Sequence, residues 1–101
     1  MKKTIQNDIN QIVEKVYAEM NKEIDHKCGT RLRHCSAWVY ESKNFYSLRS
    51  YNTVIACIDK RTKFCYDFLR KVYGYTRTSA QHISKFKQDY GAIKTLTYYL
   101  L

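Results

Sequence analysis

Apolar residues recur at spacings of three and four over the first 24 positions: Ile5, Ile9, Ile12, Val13, Val16, Met20 and Ile24. That spacing keeps one stripe on one side of a 3.6-residue repeat and predicts an amphipathic helix over residues 1–24. Glu19 precedes Lys22 by three positions and Glu23 precedes Lys27 by four, so the outer face can carry local ion pairs. The stripe is expected to pack on the core; a homodimer through the helix is its alternative use.

The pattern then changes. Residues 25–36 are polar, and Gly29 interrupts the helical period, which predicts a loop. Four short segments rich in aromatic and β-branched residues follow: Ala37–Glu41, Phe45–Tyr51, Thr53–Asp59 and Lys63–Arg70. Lys43-Asn44 and Lys60-Arg61-Thr62 separate them as turns, so the four read as an antiparallel meander. Counting back from the second turn pairs Asp59 with Lys63 and sets Cys57 opposite Cys65. Thr78 with Gln81 offers a helix start, Ile83 and Phe86 an inner face, and Gly91 a stop near Tyr90. The β-prone tail Lys94–Leu101 adds a last strand. The expected fold class is α+β: N-terminal helix, four-stranded antiparallel meander, second helix, short C-terminal strand. All of it forms a single domain over residues 1–101, with the amphipathic helix at 1–24 and a basic α+β core at 35–101.

Composition supports a folded chain, with 45% hydrophobic and 15% aromatic residues. Charge adds more. The formal net charge is +9, yet residues 1–25 carry a net −1 and the other 76 carry +10. Within 60–87, Lys60, Arg61, Lys63, Arg70, Lys71, Arg77, Lys85 and Lys87 stand against Asp67 alone. Phe64, Tyr66, Tyr73 and Tyr75 lie among them. Cations that neutralise phosphates, interleaved with rings that stack on bases, point to nucleic acid. These eight residues are the expected contact surface.

Other chemistry is sparse. His26, Cys28, His34 and Cys35 are the one cluster of zinc-ligand types, but adjacent His34-Cys35 fits no common tetrahedral spacing. A small zinc-stabilised interaction module is the least favoured of three readings, and no cofactor is expected. Carboxylates are dispersed, and Ser79 with His82 lacks a carboxylate to orient the histidine, so no enzyme is expected. No apolar run reaches membrane-spanning length, and Gln6, Asn7, Asp8 and Asn10 break any export signal after Met-Lys-Lys-Thr. The expected location is the cytoplasm of a bacterial host, with reduced thiols.

A recurring series runs from Leu48-Arg49-Ser50-Tyr51-Asn52-Thr53-Val54-Ile55-Ala56 through Ile58-Asp59-Lys60, Cys65-Tyr66-Asp67 and Tyr73-Gly74-Tyr75-Thr76. It closes with Thr78-Ser79-Ala80-Gln81-His82-Ile83-Ser84-Lys85-Phe86 and Asp89-Tyr90-Gly91. Over residues 35–91 this resembles a family of short, functionally unassigned proteins carried by phages and plasmids of Gram-positive bacteria. The resemblance implies a mobile-element origin and no site residues. Two functions fit such an origin: binding to nucleic acid or a nucleoprotein complex, or anti-CRISPR-type inhibition by protein contact with a host defence effector. At +9 the chain cannot act as a simple acidic mimic of DNA.

Overall fold

A computed structural model describes residues 2–27 and 29–100. The first helix, α1, spans Lys2–Glu23. Strands β1 (Gly29–Arg31), β2 (Ala37–Glu41), β3 (Phe45–Ser50), β4 (Thr53–Asp59) and β5 (Phe64–Asp67) follow, then α2 (Leu69–Val72), α3 (Arg77–Tyr90) and β6 (Lys94–Thr97). They form one six-stranded sheet in the order β1-β2-β3-β4-β5-β6. Neighbours are antiparallel as far as β5. β6 is parallel to β5 because α2 and α3 carry the chain back across the sheet between them, the crossover that a parallel pair requires.

The architecture is α+β, with more elements than the residue pattern predicts. The expected four-stranded antiparallel meander is a mixed six-stranded sheet with three helices. β1 lies inside the expected loop; its three exposed residues bury nothing, so periodicity carries no trace of it. Gly29 is needed there, since a Cβ at that position would stand 2.7 Å from the Tyr40 ring. The expected strand Lys63–Arg70 divides into β5 and α2. Asp67 Oδ1 accepts the Leu69 N–H at 3.0 Å and turns the chain out of the ladder. The second long helix starts earlier than expected, capped by Thr76 rather than Thr78, with the Thr76 hydroxyl accepting the Ser79 N–H. Gly91, at φ 69°, closes it in the left-handed conformation that favours glycine.

Register corrects the cysteine pairing. The Lys63 N–H reaches the Asp59 carbonyl at 2.8 Å, and Lys63 itself has φ 64°, so it belongs to the turn. The extra turn residue slips the ladder by one, and Ile58 faces Cys65 while Cys57 faces Tyr66. A one-residue slip reverses faces. The two thiols therefore lie on opposite sides of the sheet, both buried. Burial pushes the Cys65 thiol up to about 12 and Cys57 well above its usual range.

Three layers result. On one face, Val13 and Met20 of α1 pack with Phe45, Cys57, Tyr66 and Phe68, flanked by Ile9, Val16, Tyr17 and Ile24. On the other, Ile83 and Phe86 of α3 pack with Leu48, Ile55, Ala56, Ile58, Cys65 and Leu69. A bulge between Leu48 and Arg49 lets Ile55 and Ala56 both serve the α3 face. With both faces covered, the β4 run Ile55–Ile58 has no polar alternation. α1 thus packs within its own chain, although Ile5 and Ile12 remain exposed. It also reaches the end of the chain: Asn10 donates to the Tyr99 carbonyl and accepts the Tyr99 N–H, and Gln6 donates to the Thr97 carbonyl. Among the described residues, no helix is long and apolar enough to cross a membrane.

Candidate nucleic-acid interface

The eight cations expected to form one surface are distributed over several. Lys60, Arg61 and Lys63 sit at the β4–β5 turn. Arg70, Lys71 and Arg77 follow the other end of β5, a strand of four residues, or about 13 Å at ~3.3 Å per residue. Lys85 and Lys87 lie on opposite flanks of α3. Lys85 donates to Cys35 Sγ at 3.3 Å, whereas Lys87 borders a shallow cleft with Ile93 and Lys94.

Among the described residues, three of the eight pair with carboxylates. Lys60 pairs with Glu41, and Lys71 with Glu14 at 3.5 Å. Arg61 is tied most firmly: its Nε and Nη2 lie 3.0 and 2.9 Å from Asp59, which also accepts the Arg61 backbone N–H. Burial would raise Asp59, but the hydrogen bonds and charge of Arg61 outweigh it and hold the carboxyl below its usual range. Arg70 lies over two rings, 4.7 Å from Tyr75 and 4.5 Å from Tyr99.

A different constellation emerges from strand register. Arg31 of β1 faces Trp38 of β2, and Trp38 faces Arg49 of β3. The three form one row across the sheet, on the α1 face but beyond the helix. Arg49 Cζ stands 4.8 Å from the centre of the Trp38 ring and 5.6 Å from that of Tyr40; Arg31 Cζ stands 6.0 Å from Trp38. Each such contact is worth about 0.5–2 kcal/mol, depending on desolvation. None of the four ion pairs among the described residues involves Arg31 or Arg49. Among the described residues, Arg49 Nε is buried without a partner, as is Ser47 Oγ two positions earlier on the same face. An unmet buried donor costs about 1–3 kcal/mol. Two unneutralised guanidinium groups beside an indole can hold phosphates with their N–H edges and lay a flat face against a base.

Sequence reasoning confined to 60–87 misses this row, although part of its signal is readable. The two-residue turn Lys43-Asn44 sets Ser42 against Phe45, and counting outward brings Trp38 to Arg49. Arg31 has no such signal, because β1 is invisible to composition.

Among the described residues, His26 and Cys35 of the histidine–cysteine cluster do not come together. His26 lies 5.2 Å from the Tyr40 ring, on the α1 side, whereas Cys35 packs against the α3-side core. Cys28 lies outside the described residues. Among the described residues, no three His, Cys, Asp or Glu side chains group as metal ligands would.

Ser79 and His82 do meet, through a residue the sequence reading did not include. Ser50 of β3 lies 3.0 Å from Ser79 Oγ and 2.8 Å from His82 Nδ1, and all three are buried. Among the described residues, no carboxylate is hydrogen-bonded to His82. The trio ties α3 to β3 rather than presenting a nucleophile to solvent. Burial, with a smaller contribution from Lys85, holds the His82 pKa below its ordinary value. The unfolded chain therefore takes up a proton near pH 6.5, before the folded chain does. The stability His82 contributes is present above about pH 6.5 and is lost as pH falls through the native pKa. Thermal melts from pH 8 to 5 should show Tm falling more steeply for the parent chain than for His82→Gln; parallel curves would refute this.

No family model, curated protein or solved structure matches this chain. Fold and site define a small basic α+β protein with a helix on each face of a mixed sheet.

Proposed function

We propose that this chain is a non-enzymatic accessory protein of a phage or plasmid that binds nucleic acid, or a nucleoprotein complex, through basic side chains. The observation that carries the reading is the Arg31–Trp38–Arg49 row: two cations without carboxylate partners among the described residues, set against an aromatic ring on a chain of net charge +9. Lys63, Arg70, Arg77, Lys85 and Lys87 enlarge the field that captures a polyanion. Lys60, Arg61 and Lys71 add less, since their charges are already paired.

Binding of labelled duplex DNA, single-stranded DNA and structured RNA across a salt series tests the reading. Affinity should fall linearly on a log–log plot, by about 0.9 per phosphate neutralised on duplex and about 0.7 on a single strand. Negligible binding to all three would overturn it. Retention on a CRISPR effector that survives nuclease treatment would then favour the protein-directed inhibitor.

A further inference from the structure

We infer that the sheet face formed by β1, β2 and β3 is a platform for single-stranded nucleic acid, on which one base stacks against Trp38 while Arg31 and Arg49 hold the adjoining phosphates. The inference rests on the nucleic-acid reading above and adds to it the strandedness of the ligand and the residue that takes the base.

The first support is access. α1 packs over β3, β5 and β6 on this side of the sheet. Its C-terminal end is drawn to the β2–β3 turn, where Glu23 accepts hydrogen bonds from Ser42 and Asn44. The opposite end of β1–β3 is left open. Arg31 is exposed there, and Trp38 and Arg49 are half-buried.

The second is arrangement. Facing residues on adjacent strands point to the same side, so the ladder itself places the indole between two guanidinium groups. Arg49 is the nearer and better enclosed, lying against Tyr40 as well as Trp38. Arg31 is farther from the ring, and it donates to the Cys35 carbonyl at 2.9 Å and to the His34 carbonyl at 3.5 Å. A base therefore reaches Trp38 from the Arg31 side when the exposed Arg31 side chain swings off the ring, and the guanidinium then turns to a phosphate. Of the Arg49 guanidinium only Nε is buried without a partner among the described residues, so its terminal nitrogens are the ones that meet a neighbouring phosphate.

The third is shape. An open sheet offers no helix or protruding ribbon to enter a duplex groove, and a paired base keeps its faces within its own stack. A single strand exposes those faces, and every base has one to offer an aromatic side chain. The platform is therefore expected to prefer single strands without strong base preference.

Trp38 is the only tryptophan of the chain, so its emission reports on the site directly. The full chain should be titrated with oligothymidylate of about ten nucleotides, within the usual span of single-strand sites. Duplex of equal length, inorganic polyphosphate and polyglutamate serve as comparisons. Oligothymidylate should quench Trp38 and be released by salt, whereas the other three should leave the emission near its starting value. Trp38→Leu should weaken single-strand binding by about 5- to 150-fold, and Trp38→Phe should restore much of it. Arg31→Gln with Arg49→Gln should lower the salt slope by about 1.4. Should Trp38→Leu fail to fold, Arg31→Gln alone, at an exposed position, should lower the slope by about 0.7.

Single-strand binding with unchanged Trp38 emission, or affinity for duplex as high as for single strands, would overturn the platform and leave the wider nucleic-acid reading standing. Quenching by polyglutamate equal to that by oligothymidylate would overturn it in favour of an acidic protein partner. Absence of binding to any nucleic acid would overturn both readings.

Discussion

Alanine in place of Phe86 is expected to lower the unfolding free energy by about 3–5 kcal/mol. Phe86 is fully buried, and it closes the α3 side of the core over Leu48, Ile55 and Ile58. Its ring also lies 5.3 Å from that of Tyr90. Truncation loses the transfer energy of the ring and leaves a cavity that a sheet pinned on its other face cannot close. Domains of this size are stable by only about 5–15 kcal/mol, so the loss takes a large share. Urea denaturation measures it, as a lower midpoint with an unchanged slope. A loss below about 1 kcal/mol would mean that α3 does not seal this face.

Met20→Ala is expected to cost about 2–5 kcal/mol, by the same mechanism on the opposite side. Met20 is fully buried beside Phe45, Tyr66 and Phe68, whereas Ile12, on the same helix, is 46% exposed. Ile12→Ala should therefore change stability by no more than about 0.5 kcal/mol. The Met20 loss should not depend on protein concentration, because its partners belong to the same chain; a dimer seam would make the Tm concentration-dependent. The six-stranded sheet separates Met20 from Phe86, so their double substitution should be additive to within about 0.5 kcal/mol.

Much of the candidate site was out of reach of a linear reading, for a specific reason. Cations crowd residues 60–87, but crowding in sequence is not proximity in space. The β4–β5 turn and α2 lie at opposite ends of a strand, and α3 turns Lys85 and Lys87 to opposite flanks. Conversely, Arg31, Trp38 and Arg49 are spread over 19 positions and look unrelated until two strand ladders align them. The charge-reversal pair Arg61→Glu and Lys63→Glu, an obvious test from sequence, is compromised because Arg61→Glu would set a second carboxylate beside Asp59.

Elements that satisfy their own requirements locally were determined by the sequence alone. The spacing of Ile9, Val13, Val16, Met20 and Ile24 specifies α1 and its inner face, and Gly91 ends α3, because periodicity and backbone freedom act over a few residues. The strands β2, β3 and β4 are likewise marked by β-branched and aromatic side chains between polar turns. What depends on partners distant in the chain was decided only by the tertiary structure. β1 exists because β2 offers it an edge, and β6 runs parallel because α2 and α3 cross the sheet before it. The side of the sheet that each cysteine joins depends on one turn residue, Lys63. The Arg31–Trp38–Arg49 row depends on the register of three strands, which hydrogen bonds between strands set and which no single segment contains.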